Sequence, residues 1–210
     1  MTRKQSWFPI AYMFLVTAFF SSIVIGLTRV TGERVQANQK LAFERAVLSV
    51  LPGVNVQTKT RPQIHETFGE MMSEPNELSN GAYTARREGR IVAYVVPIAG
   101  QGFWAPIKGV IGLKTDKKTV TGIAFYQQNE TPGLGAEITK PAFKNQFQGK
   151  VLASSGQPLK IRRPGAVLGN NEVHAITGAT QTSDRLQIII DEALRKWQGR
   201  GEKEGEGRES

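Results

Sequence analysis

The chain has 210 residues, of which 27 are Lys or Arg and 18 are Asp or Glu, for a formal net charge of +9. Its 40% hydrophobic and 21% charged residues match a packed domain and exclude disorder over most of the length. The absence of Cys excludes a disulfide framework, a zinc–cysteine site, a Cys-ligated iron–sulfur cluster and a thiol nucleophile, and His65 and His174 each stand alone, which excludes a His-rich metal centre. Lys and Arg are spread along the chain, with small groups at Lys117-Lys118 and Lys160-Arg162-Arg163 and no nucleic-acid motif beside them. The expected partner of this charge is membrane lipid, with no nucleic acid.

Residues 5–28 carry no charge and lie between Lys4 and Arg29. At about 1.5 Å per residue their apolar part spans a bilayer core of roughly 30 Å. The expectation is a transmembrane helix or uncleaved signal anchor, with Trp7 and Tyr12 near one interface. The stretch is longer than the apolar core of a cleaved signal peptide, and no A-x-A site follows it closely. Arg3 and Lys4 on the short side balance Arg29 and Arg34 on the long side. The default for a signal anchor then places the N-terminus in the cytoplasm and the soluble part outside a bacterial inner membrane.

From Glu33 to Leu51 the pattern predicts a helix continuing as a stalk, with Val35, Leu41, Ala46, Val47, Val50 and Leu51 apolar and a stop at Pro52-Gly53. Residues 55–80 are polar and weakly patterned, so an irregular connection is expected, tacked to the core by Ile64, Phe68, Met71 and Met72. Strand-like runs follow at Ala82 to Arg86, Arg90 to Pro97, Ile107 to Lys114 and Thr119 to Gln127. Turns at Glu88-Gly89 and Thr115 to Lys118 suit antiparallel hairpins. Lys140 to Phe147 reads as a short helix closed by Gly149, and residues 151–174 as a short apolar run and a basic connector. A final helix is expected with Ser183 as N-cap, Asp184 at the positive end of its dipole, and Leu186, Ile189, Ile190, Ala193, Leu194 and Trp197 as its buried stripe. The fold class is therefore α+β: a single transmembrane helix, then one domain with an antiparallel sheet and packed helices. The expected divisions are 1–29 for the stub and membrane helix, 30–80 for the stalk and connector, 81–198 for the domain, and 199–210 for a disordered tail.

Two motifs carry chemistry. Asn129-Glu130-Thr131-Pro132-Gly133-Leu134-Gly135 follows a strand; Pro132-Gly133 specifies a tight turn, and Gly133 and Gly135 remove side chains so that backbone amides can approach a ligand. Alone, it is equally a hairpin or a strand-to-helix turn. Ala175-Ile176-Thr177-Gly178-Ala179-Thr180-Gln181-Thr182-Ser183 leads into the last helix and delivers Thr180 just upstream of unpaired helix amides, a suitable place for a phosphate. Simple N-capping by Thr182 or Ser183 is the alternative. No Gly-Lys-Ser/Thr makes either a Walker loop, no G-x-G-x-x-G follows a strand, and no G-x-S-x-G elbow or partner acid accompanies His174.

Together the N-terminal apolar helix, Gly100-Gln101-Gly102-Phe103-Trp104, the run from Glu130 to Gly135 and Thr177-Gly178-Ala179-Thr180 resemble the FMN-binding subunit family of bacterial respiratory ion pumps. Its members are the NqrC protein of the Na+-translocating NADH:quinone reductase and the related RnfG protein of the Rnf complex, and the Gly-Gln-Gly-Phe-Trp stretch leans toward the former. The resemblance implies FMN joined covalently by a phosphoester to Thr180, attached by a separate flavin transferase. It implies an electron-relay subunit of a membrane redox pump, not an enzyme on its own, whose partners are the other subunits. The cofactor-binding set is Thr180, Thr177, Gly178, Ala179, Ile176, Glu130, Thr131, Leu134, Gly135 and Trp104, with no catalytic or metal residue. One departure stands out: the family's attachment pattern begins with Asp where this chain has His174. A membrane-anchored assembly module without cofactor is the alternative from another class. The apolar helix holds no ionisable residue, so ion translocation is expected to belong to other subunits.

Overall fold

The computed structural model describes residues 7–199, so Arg3, Lys4 and the tail after Gly199 lie outside the described residues. The chain divides into a unit ending at Lys40 and a second unit beginning at Leu41. Helix α1 (Trp7–Ser49), most of which belongs to the first unit, begins with a segment long and apolar enough to cross a membrane. Phe8, Ile10, Phe14, Leu15 and Leu27 are all exposed on it. The hydroxyls of Ser22, Thr28 and Thr31 donate to the carbonyls of Ala18, Val24 and Leu27 one turn earlier, so these polar side chains need no outside partner.

The second unit is built on a five-stranded antiparallel meander, β1 (Met72–Ser73), β2 (Tyr83–Arg87), β3 (Arg90–Gln101), β4 (Pro106–Leu113) and β5 (Val120–Gln127), in chain order. Its hairpins follow from local chemistry. Glu88 and Gly89 both take positive φ, +52° and +76°, as a two-residue turn between antiparallel strands requires. Between β4 and β5 the Asp116 carboxylate accepts the amides of Lys118 and Thr119, each at 2.8 Å, and the Thr119 hydroxyl at 2.6 Å. Those bonds, first of all that from the Thr119 hydroxyl, hold its carboxyl below the usual carboxylate range.

Both faces of the sheet are covered, so its central strands read as nearly continuous apolar runs. One face buries Ala85, Ala93, Val95, Val110 and Ala124 against Val47 and Leu48 at the end of α1, Leu51 just beyond it, and Ile64 of α2 (Arg61–Met71). The other buries Val96, Ile98, Ile107, Ile111 and Ile123 against Leu186, Ile189, Ile190 and Leu194 of the last helix, α4 (Thr180–Trp197). Phe143 of the short α3 (Pro141–Lys144) and Phe147 of the 3-10 turn after it complete that side, their rings 5.3 Å apart.

The structure differs from the sequence expectations in three places. Residues 61–71 are helical, not irregular: the Gln63 side chain accepts the Thr60 amide at 2.9 Å and Pro62 sits in the first turn. Ile64, Phe68 and Met71 then fall at helical spacing on the core side. His65 of this helix bonds through Nδ1 at 2.8 Å to the buried carboxylate of Glu44 in α1. Second, the connector holds two short strands, β6 (Lys160–Arg162) and β7 (Glu172–His174), paired in parallel. The free side of β6 is completed by a side chain, for Gln187 accepts the Ile161 amide and donates to the Leu159 carbonyl at 2.9 Å. Third, α4 begins at Thr180, with Ala179 as its N-cap residue, so Ser183 is not the cap. Ser183 is buried, and its hydroxyl accepts the Ile176 amide at 3.3 Å instead.

Helix α4 crosses β3 at Gly100, where a Cβ would stand 2.5 Å from Ile189 Cγ1. Gly100→Val is expected to lower stability by about 1–3 kcal/mol through overpacking, read as a lower denaturation midpoint of the full chain in detergent. Gln187→Leu should cost a similar amount, about 1–3 kcal/mol, because it strands a backbone donor and an acceptor at the edge of β6.

Candidate functional site

The site forms where three connections meet at one end of the sheet. The first is the link from β3 to β4, residues 102–105, closed by the Gly102 amide on the Ala105 carbonyl at 3.0 Å. The second follows β5. There Pro132 and Gly133, the latter at φ +74°, turn the chain so that the Leu134 amide meets the Thr131 carbonyl at 3.1 Å, a type II turn dictated by the Pro-Gly pair. The third is the loop from β7 into α4, where Gly178 takes φ +78° and the Ala179 amide returns to the Ile176 carbonyl at 3.1 Å.

Glu130 joins all three. It is only 4% exposed, and its Oε1 accepts the Trp104 amide at 3.1 Å while its Oε2 accepts the Thr182 hydroxyl at 2.6 Å. Space for the carboxylate comes from two missing side chains: a Cβ on Gly102 would stand 2.6 Å from Oε1, and one on Gly135 would stand 3.0 Å from Oε2 and run into the Thr182 hydroxyl. Gly135 thus makes room for an internal polar contact while also lining the adjoining pocket. Above it, the Trp104 indole N–H donates to Thr131 Oγ1 at 3.1 Å, and the Trp104 ring meets Phe103 edge to face at 4.9 Å.

Against this frame lies a pocket of about 200 Å³ lined by Phe103, Thr131, Leu134, Gly135 and residues 178–182. Of the expected cofactor set it gathers Thr131, Leu134, Gly135, Gly178, Ala179 and Thr180. Thr180 is exposed and is the first residue of α4, and no side chain caps that helix end. Its first-turn amides and positive dipole end therefore remain available to an anion. Glu130 and Trp104 stand outside the lining as supports, the exposed Thr177 is outside it too, and Ile176 packs partly buried against the core. Phe103, Gln181 and Thr182 belong to the lining without having been singled out as cofactor contacts. Phe103 could have been found from its exposure beside Trp104 in the same short motif, since both keep large aromatic surfaces in solvent, 48% and 65% exposed.

His174 lies at the end of β7, its amide and carbonyl held by the Gln146 side chain at 2.8 and 3.4 Å. Its Nδ1 is buried with no hydrogen-bond partner among the described residues. Among those residues no group of His, Asp and Glu is placed to hold a metal ion.

Residues 102–195, which contain every part of this site, match the model of the FMN-binding domain family. The NqrC protein of the Na+-translocating NADH-quinone reductase of Vibrio anguillarum is 38% identical over 112 residues, 52% of this chain and 44% of that protein. Its counterpart from Chlamydia pneumoniae is 50% identical over 76 residues, 36% of this chain and 24% of that protein. Over these segments the chain is similar to NqrC proteins. It spans less than half the length of these two relatives. The fold agrees with two crystal structures of NqrC proteins. The one from Parabacteroides distasonis has a TM-score of 0.64 at 26% identity, covering 80% of this chain and 94% of that one. The one from Shewanella oneidensis has a TM-score of 0.51 at 25% identity, covering 61% of this chain and 65% of that one. Like them, this chain pairs an antiparallel sheet with helices in an α+β fold.

The residues present fit an FMN. The uncapped start of α4 suits a phosphate, the exposed Thr180 lines the pocket, and Leu134 and Phe103 offer apolar walls. At about 200 Å³ the pocket is smaller than a usual ligand cleft. Because Gly178 is left-handed and a Cβ there would meet Leu134 Cδ2 at 3.2 Å, Gly178→Ala should cost about 1–2 kcal/mol, visible as a lower thermal midpoint of the flavin-free chain.

Proposed function

We propose that this chain is the electron-relay subunit of a membrane ion-translocating NADH:quinone reductase of the Na+-dependent type, with FMN joined through a phosphoester to Thr180. The observation that carries the reading is the placement of Thr180: an exposed hydroxyl at the first position of an uncapped helix, inside a pocket of an FMN-binding domain. The names of the relatives supply the complex, and the apolar segment of α1 supplies the anchor, with the domain on the outer side of a bacterial inner membrane.

When bound, FMN supplies reversible one- and two-electron transfer, and the protein contributes orientation and electrostatics. Thr180 Oγ tethers the phosphate, the amides of the first turn of α4 face its charge, and Leu134 and Phe103 keep water from the adjoining part of the pocket. As a diester the phosphate keeps a charge of about −1, which this helix end can balance without an Arg cluster. A covalent link also prevents loss of the cofactor by diffusion outside the cytoplasm.

No base bonds to the Thr180 hydroxyl among the described residues, and an unaided hydroxyl is a poor nucleophile, so a separate flavin transferase is required. The balanced step joins Thr180 Oγ to phosphorus and breaks the phosphoanhydride of a flavin dinucleotide donor. A nucleoside monophosphate leaves, and the hydroxyl proton passes to a base of the transferase. The other subunits of the pump are the partners in electron transfer.

Co-expression with a flavin transferase should add one FMN phosphoryl mass to the intact chain and give a fluorescent band on a denaturing gel. Thr180→Ala should abolish both while changing stability by less than about 0.5 kcal/mol, since the side chain is exposed. An unmodified wild-type chain after co-expression would sink the relay reading and favour an assembly module without cofactor.

A further inference from the structure

The buried acid beneath the pocket touches no part of the flavin tether. A carboxylate 4% exposed is costly to desolvate, and two loops could be joined at lower cost by neutral groups. Here the chain keeps the acid and omits side chains at Gly102 and Gly135, each of which would collide with it. The two carboxylate oxygens divide their work. Oε1 takes a backbone amide from the 102–105 connection, and Oε2 takes the hydroxyl of Thr182 at the third position of α4.

This division has a consequence for the helix start. A Thr in the first turn of a helix can turn its hydroxyl toward local backbone groups. At Thr182 that hydroxyl is instead committed to Glu130 at 2.6 Å, and Ser183 is committed to the Ile176 amide. The first turn of α4 is thereby fixed from below while its amides stay clear on the pocket side. Thr180 is two residues from Thr182 on the same turn, so a contact that holds the backbone of that turn at Thr182 also sets where the Thr180 Cα–Cβ bond stands.

We propose that Glu130 is the positioning residue of this site: its carboxylate clasps the 102–105 connection to the first turn of α4 and so sets where the Thr180 hydroxyl stands for attachment of the flavin phosphate. The proposal rests on the covalent reading of Thr180 and deepens it. Glu130 touches neither Thr180 nor the pocket interior. It acts through Thr182 and Trp104.

The test uses the full chain in detergent with a flavin transferase and flavin dinucleotide, well below each variant's melting midpoint, so that a loss of stability alone leaves the rate unchanged. Initial rates of covalent incorporation are read by in-gel fluorescence. Glu130→Ala and Thr182→Val are expected to incorporate flavin at least tenfold more slowly than wild type, and Thr182→Ser, which keeps the hydroxyl, at close to the wild-type rate. The double variant Glu130→Ala/Thr182→Val should be no slower than the slower single variant, because both remove one contact. Independently of flavin, hydrogen exchange at the Trp104 amide should quicken at least tenfold in Glu130→Ala.

Wild-type rates in folded Glu130→Ala and Thr182→Val overturn the positioning role while leaving the Thr180 tether standing. A wild-type chain that takes no flavin overturns the tether and this role together. Should Glu130→Ala fail to fold, the contrast between Thr182→Val and Thr182→Ser decides: equal rates overturn the proposal, and loss in Val alone supports it.

Discussion

Helix α4 approaches the sheet closely where β3 has no side chain, at Gly100, and Ile189 crosses it there. That close approach lets the stripe from Leu186 to Leu194 reach Ile98, Ile107 and Ile111, and it brings the start of the helix to the end of the sheet where β3 leaves for β4 and β5 leaves for α3. The site is a result of this crossing. A helix held farther out would separate Thr182 from Glu130, and the pocket between them and Leu134 would lose its floor.

Within that frame the polar contacts are arranged so that the pocket itself is left free. Glu130, Thr182, Ser183 and Trp104 satisfy one another or nearby backbone, all below or beside the cavity. What remains in the lining is the exposed Thr180 at the uncapped start of α4, together with Leu134 and Phe103. This combination suits a group with an anionic end and a flat apolar end. A comparable use of side chains appears in the small parallel sheet, where the side-chain amide of Gln187 replaces a third strand and attaches β6 to α4.

Much of the fold was legible because its signals are local. The Glu88-Gly89 and Pro132-Gly133 pairs specify turns whatever surrounds them, and the apolar stripe of α4 has helical period from end to end. The misread segments are those whose signals are weak or lie far apart in sequence. Residues 61–71 carry only a sparse stripe, Ile64, Phe68 and Met71, and the polar residues between them hid its helical spacing. The strands β6 and β7 are three residues each, and Gln187, which completes their edge, lies 26 residues beyond Ile161. Ser183 looked like a cap because its residue type suits one, yet the Ile176 amide claimed its hydroxyl and the cap position fell four residues earlier, at Ala179.

The sequence by itself determined the apolar N-terminal segment, the antiparallel hairpins, the amphipathic last helix and the Thr177 to Thr180 motif with its resemblance to FMN-binding subunits, because each is written in neighbouring residues. Only the tertiary structure decided that Glu130 supports the site from beneath, that Gly102 and Gly135 clear space for its carboxylate, and that Phe103 and Thr182 line the pocket. The physical reason is that these roles depend on contacts across 26 and 52 positions of chain, from Trp104 to Glu130 and from Glu130 to Thr182, and packing of α4 on β3 brings those residues together.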